Sequence, residues 1–262
     1  LFTGFLIGMG GGVNVRVAQH LGAREDEKTS QAVHTSLLLC TCMGLIIMVF
    51  CLLMAGPMLR ILHTKDDLLP GAELYLRIYA LGMPALGIFN FGNAVLSASG
   101  DTRRPLMYLT IAGVLNVILN LFFVIVCRMA ADGVALASII SQYVSAFLVV
   151  WHIARMDGAC RLHLRELRFH AAETGRVLQL GIPAGVQNAL FAIANLFIQV
   201  GVNSFDSTMV SGNAAASNTD TIIYNVMAAF YMACSTFMGQ NWGAGKKKRM
   251  MDSYLISLSY AF

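Results

Sequence analysis

Eight stretches of apolar sequence, most of them as long as a bilayer is thick, restrict this chain more than any motif does. They run approximately over 1–20, 34–56, 73–98, 106–127, 133–153, 177–201 and 214–238, with a partial stretch from 252. A spanning helix needs about 20 residues, and only helices or closed barrels satisfy their own backbone inside lipid. The charge content agrees. Only 12% of the residues are charged and 57% are hydrophobic, whereas a soluble domain carries about 25% charged residues. None of the 14 acids lies deep in a long apolar run, as expected when a charge at the bilayer centre costs roughly 2.5–3.5 kcal/mol or more. The fold class expected is all-α, a polytopic transmembrane helix bundle whose first partner is the lipid bilayer.

Lys and Arg placement orients the bundle. Four of the 18 basic residues, Arg60, Lys65, Arg77 and Arg128, fall on one side of the expected membrane, and the rest fall on the other. The positive-inside rule makes the richer side cytoplasmic. The net charge of +4 is thus topology information, and no nucleic-acid partner is expected. The six cysteines lie mostly inside apolar runs and read as small packing residues. Neither a disulfide nor a metal site is expected. The apolar start lacks the basic leader and cleavage site of a signal peptide. Leu1 already lies inside one apolar run and Phe262 inside another, so both ends read as truncations.

A repeat organises the chain. Ala18-Gln19-His20-Leu21-Gly22-Ala23 follows the first run, and Gly239-Gln240-Asn241-Trp242-Gly243-Ala244 follows the seventh. Both read small-Gln-x-x-Gly-Ala, and both leave an apolar span on the basic side. Equal orientation after six spans means parallel repeats about an axis along the membrane normal. The expected organisation is an N-terminal lobe over 1–153, a basic linker over 154–176, and the start of a second lobe over 177–262. Arg161, Arg165 and Arg168 recur at helical spacing in the linker, as Leu162, Leu164 and Leu167 do less regularly, which suggests a segment lying on the membrane surface. Gln19, Gly22, Gln240 and Gly243 are expected to finish helix ends and set lobe packing.

Polar residues inside the spans are the candidate sites. Asn116 and Asn120 are four residues apart, on one helix face. They are either interhelical hydrogen-bonding groups or a cation or water site. Ser138 and Ser141 follow one span later, as close-packing residues or as hydroxyl partners for that pair. Asn188, Asn195, Gln199 and Asn203 form one stripe, which should face protein or water. Asp220 shares a face with Tyr224, Met227 and Tyr231. That face suits a lipophilic cation, or Asp220 is an exposed acid favoured by a helix N-terminus. Asn90, Asn93 and Ser97 line one side of the third span. Pro84 and Gly87 there permit either a hinge or a static kink. No GxxxxGK[ST] phosphate loop and no HExxH pair occur, which argues against ATP-driven transport and against a membrane-embedded metalloenzyme.

Taken together, VAQHLGARE at 17–25, LSASGDTRRP at 96–105, NVILN at 116–120, GVALASIISQ at 133–142, LGIPAGVQ at 180–187 and FMGQNWGAGKKKR at 237–249 resemble the multidrug and toxic compound extrusion (MATE) family of secondary transporters. The resemblance covers essentially the whole chain. It implies two lobes of six helices, of which the first helix and the last three are missing here, so these 262 residues alone are not expected to transport. It implies a monomer in the plasma membrane, the cytoplasmic membrane in a bacterium. It further implies export of small organic, often cationic, compounds by alternating access, with H+ or Na+ as coupling ion and no other cofactor. Asn120 stands where proton-coupled relatives carry Asp, and residues 177–203 lack the Glu of the sodium-coupled branch. The resemblance leaves a related lipid-linked sugar flippase as the alternative. Such a flippase should carry a more cationic cavity, whereas the bases here sit at the loops.

Overall fold

The computed structural model describes residues 2–61, 69–202 and 207–261. Among these the chain is helical: α1 (Phe2–Ala23), α2 (Asp26–Ile61), α3 (Leu69–Ala80), α4 (Met83–Ala98), α5 (Arg103–Leu121), α6 (Ala131–Arg155), α7 (Ala171–Val202), α8 (Ser207–Gly243) and α9 (Lys247–Ala261). Helix α5 ends in a π turn, Phe122–Val126. Asn203 lies outside the described residues.

Among the described residues five helices are long and apolar enough to cross a membrane, and the bent pair α3–α4 makes a sixth if the two cross as one span. The sequence pattern suggested about eight spans. The difference falls on α1 and α9. Helix α9 has 15 residues, short of a bilayer. Helix α1 holds Asn14, Arg16, Gln19 and His20, which lowers its apolarity. It does not need an apolar surface all round, because ten of its residues are buried against neighbouring helices. Lipid-facing helices behave in the opposite way. Leu106, Leu109, Val117, Ile118 and Leu121 along α5 are all exposed.

The bend between α3 and α4 is 43° and falls at the break between Ala80 and Met83, ahead of Pro84. Pro84 occupies the first turn of α4, where a missing N–H costs nothing. Gly87 serves packing, since a Cβ there would sit 2.5 Å from the Cys40 carbonyl oxygen of α2.

The linker departs from the expected amphipathic stripe. It contains one short 3-10 turn, Leu164–Glu166, and is strapped to the ends of α2 and α6. Cys160 and Leu162 are buried in the main core. The Leu162 N–H donates to the Ile153 carbonyl at 3.2 Å, and the His170 N–H donates to Thr35 Oγ1 at 3.2 Å. Burial pushes the Cys160 thiol up to about 11, so it stays protonated and unreactive. Leu164 is left exposed.

Helix α1 is the centre of the assembly and packs against α2, α4, α7 and α8. Its Asn14 is fully buried and ties three helices. The amide donates to the Ala94 carbonyl of α4 at 3.1 Å and accepts from the Thr236 hydroxyl of α8 at 2.9 Å. Replacing Asn14 with leucine is expected to cost about 1–2 kcal/mol. The figure is modest because Thr236 also bonds the Met232 carbonyl of its own helix. Thermal unfolding in detergent checks this, and an unchanged midpoint would refute it.

Candidate functional site

The structure places the candidate residues in three separate regions. The first is a polar knot between α5 and α6. Asn120 Nδ2 donates to Asn116 Oδ1 at 3.0 Å. Asn116 Nδ2 in turn faces Ser141 Oγ at 3.2 Å and Ser138 Oγ at 3.4 Å. Both serine hydroxyls donate back to α6 carbonyls, Ser138 to Val134 at 3.0 Å and Ser141 to Ala137 at 2.8 Å. The bonds therefore run in one direction, from Asn120 through Asn116 and the two serines to the α6 carbonyls. One acceptor remains: Asn120 Oδ1 is buried and has no hydrogen-bond partner. A buried unsatisfied carbonyl costs about 1–3 kcal/mol, so the position suits a cation or a donor group. The oxygens around it are neutral, and an amide does not carry a titratable proton. The π turn begins two residues further on, the kind of irregularity often found at functional sites.

The second region is the length of α7 and α8 away from the basic side. Asn188 is held, its Nδ2 donating to the Gly4 carbonyl of α1 at 3.1 Å. Asn195 and Gln199 lie on the exposed part of α7, and Asp220 on the exposed part of α8. Tyr224 is also exposed. Tyr231, also exposed, is about three turns from Asp220 toward the basic end. There it lines a cavity of about 440 Å³ with Val15, Gln19, Ser235, Trp242 and Tyr254.

The third region is the basic end of α1, where the two copies of the repeat meet. They face each other reciprocally. A Cβ on Gly22 would lie 1.9 Å from the Gln240 carbonyl oxygen, and one on Gly243 would lie 1.8 Å from the Gln19 carbonyl oxygen. Gln240 Nε2 also donates to the Ala98 carbonyl of α4 at 2.8 Å. A close seam continues along α1 and α7. A Cβ on Gly8 would sit 2.3 Å from the Gly185 nitrogen, and one on Gly12 would sit 2.6 Å from the Gly181 nitrogen.

Beside this seam lies a charged cluster that sequence reading missed. Glu173 of α7 accepts two bonds from Arg16 of α1, from Nε at 2.7 Å and Nη2 at 2.8 Å. The Nε2 of His20 lies 3.2 and 3.3 Å from the two Glu173 oxygens. Its Nδ1 lies 2.9 Å from Glu25 Oε2, and Lys28 reaches Glu25 Oε1 at 2.8 Å. His20 and Glu173 are both buried. The Lys28 hydrogen bond, followed by that of His20, holds the Glu25 carboxyl below its ordinary value. The available signal was the four-residue spacing of Arg16 and His20 on one face of α1, set against Glu173, one of three acids in a basic linker. Sequence alone could not pair elements 157 residues apart.

His34, His163 and Glu166 bring ligand atoms within 4.8 Å of one another. Both ring nitrogens of His34 are already engaged, with the Ser30 carbonyl at 2.7 Å and the His163 N–H at 2.9 Å. The cluster thus serves to hold the linker against α2.

The sequence profile of the MatE family matches residues 1–122 and 183–262. The chain is 35% identical to the "Probable multidrug resistance protein YpnP" of Bacillus subtilis, over 74% of this chain and 43% of that protein. It is 24% identical to the "FAD transporter" of Shewanella oneidensis, over 99% of this chain and 58% of that one. A crystal structure of MATE in complex with MaD5 superposes with a TM-score of 0.90, at 21% identity, over 99% of this chain and 59% of the other. An outward-facing multidrug resistance MATE family transporter superposes with a TM-score of 0.87 at 21% identity, over 99% of this chain and 59% of that one. These structural likenesses show the fold. The chain spans about half the length of the relatives it matches.

Proposed function

We propose, from the premise that this chain belongs to the MatE family, that it forms about half of a cation-coupled antiporter that exports organic compounds across a cell membrane. The names of its relatives support the transport reading, and so does its helical membrane fold. The observation that carries the coupling is the buried, unpartnered carbonyl of Asn120. The amide nitrogen of Asn120 is bonded to Asn116, and Asn116 in turn to Ser138 and Ser141, so the oxygens of this knot are all neutral. Such a set suits a sodium ion or the N–H of a cationic substrate better than a bare proton. The exposed lengths of α7 and α8, with Asn195, Gln199, Asp220 and Tyr224, are the walls a compound would pass. The relatives' names include both drug resistance and FAD transport, so the compound class is open to anions as well as cations.

The two faces of the molecule fit alternating access. Contacts of α1 with α8 lie toward the basic, cytoplasmic end, those with α7 run on along α1 to Gly4 opposite Asn188, and the far halves of α7 and α8 are exposed. A protein that rocks between two openings would be closed inward in this arrangement.

The test is the protein at its native length in liposomes, with a sodium and then a proton gradient imposed. Efflux of a fluorescent lipophilic cation is followed, and that of FAD in parallel. One gradient should drive movement, and Asn120→Leu should reduce gradient-driven efflux by at least about tenfold, the equivalent of one lost charge-assisted contact. Folded protein that moves neither compound under either gradient would overturn the proposal.

A further inference from the structure

The geometry points to His20 as a proton-controlled latch that closes the cytoplasmic side by joining α1 to α7. The inference rests on the transporter reading, because a latch matters only if the two halves move apart.

His20 faces carboxylate oxygens at both ring nitrogens, with Glu25 at Nδ1 and Glu173 at Nε2. Carboxylate oxygens only accept hydrogen bonds. Both ring nitrogens must therefore carry a proton for both contacts to be hydrogen bonds, and the ring that fits this place is the imidazolium. The neutral ring keeps one N–H. Either Glu25 or Glu173 then faces a lone pair, and the attraction between the ring's charge and Glu173 is lost. Hydrogen bonds of the charged form are roughly twice as strong as neutral ones.

The surrounding charges agree with this assignment. Helix α1 supplies Arg16, helix α7 supplies Glu173, the α1–α2 junction supplies Glu25, and α2 supplies Lys28 behind Glu25. Helix α4 carries no ionisable side chain, and α8 carries no acid, His, Lys or Arg between Thr221 and Gly243. Arg16 keeps its charge at all relevant pH values, so it holds Glu173 permanently. The variable part of the link is the proton on His20.

A route for that proton is present. His20 is 3% exposed, but the Glu25 side chain bonded to its Nδ1 is 39% exposed. Water on the cytoplasmic side reaches Glu25, and Glu25 passes the proton to or from Nδ1, making or breaking one N–H bond. Histidine is the side chain that changes charge within the physiological pH range. An acidic cytoplasmic side fastens the latch, and an alkaline one loosens it. The reciprocal Gly22–Gln240 and Gly243–Gln19 contacts lie in the same layer, so loosening one side frees the seam between the repeats.

The experiment measures the distance across the seam. Spin labels go on Glu27→Cys and Lys247→Cys, exposed positions outside the cluster. Cys42, Cys127 and Cys234 are replaced by alanine, because the other three cysteines are buried. The protein at its native length is studied in nanodiscs at about pH 5 and about pH 8. Double electron–electron resonance should show the ratio of short to long distances falling by about tenfold from acid to alkaline pH. His20→Gln and Glu173→Gln should each remove that pH response, and Glu173→Gln should favour the long distance at both pH values. An unchanged ratio in the parent, or a full response surviving in either folded variant, overturns the latch. A pH-dependent distance in protein that moves no compound in the liposome assay would keep the latch and remove the transporter reading. Efflux by protein whose distance ignores pH would remove the latch alone.

Discussion

Gly8→Leu should wedge α1 away from α7 and strongly destabilise the closed arrangement of these two helices. A Cβ at Gly8 would lie 2.3 Å from the Gly185 nitrogen and 2.5 Å from the Ala184 carbonyl carbon. These are backbone atoms, so no side chain can turn aside. Ordinary contact begins at 3.4 Å, so the helices must part by about 1 Å even for a methyl group, which forfeits dispersion along the whole seam. Overpacking costs about 1–3 kcal/mol where side chains can adjust, and backbone against backbone should reach the top of that range or pass it. Gly11 on the same helix is the control, because a Cβ there meets nothing within 4 Å. Gly11→Ala should be neutral or stabilising by about 0.5–1 kcal/mol, since glycine weakens a helix interior by that amount. Monodispersity and thermal midpoints of the two variants check the contrast. Equal midpoints would mean that the seam is not as close as described.

Glu173→Leu should be the most destabilising single change in the charged cluster. The Glu173 side chain is 4% exposed and that of Arg16 is 19% exposed, with the pair at 2.7 Å. Removing the acid leaves a guanidinium and the His20 ring in a largely dry place. Breaking such a pair from one side costs about 3–5 kcal/mol, whereas replacing both partners with apolar residues is often neutral. The double variant Arg16→Met with Glu173→Leu should therefore recover most of the loss. A thermodynamic cycle over the two single variants and the double variant gives the coupling directly. If the two single effects simply add, the pair contributes no mutual stabilisation and this account of the seam fails.

The repeat was readable as a pattern but not as a contact. Its two hexads pointed to parallel halves, and the fold brings Gly22 against Gln240 and Gly243 against Gln19. The Asn116–Asn120 spacing likewise placed two amides on one face. It could not show that Asn120 would donate to Asn116 and keep its own carbonyl buried without a partner. Arg16 and Glu173 were visible only as charges near span ends.

What the sequence determined by itself is what depends on local periodicity and on transfer between water and lipid. That includes the all-helical class, the helix order, the side on which the bases collect, and the family's motifs. A run of apolar residues is driven into the bilayer whatever its neighbours are, so its signal is local and additive. Tertiary structure decided the rest. Helix α1 fails the apolar criterion yet lies at the centre, because burial by four other helices replaces burial by lipid. The linker's leucine stripe gave way to a strap, because Cys160 and Leu162 found a protein core. The bend lies ahead of Pro84 because the break sits between α3 and α4. Pairings such as Arg16 with Glu173 join residues far apart in the chain. Their energy depends on a distance of a few ångströms in a dry environment, and only the packed helices set that distance.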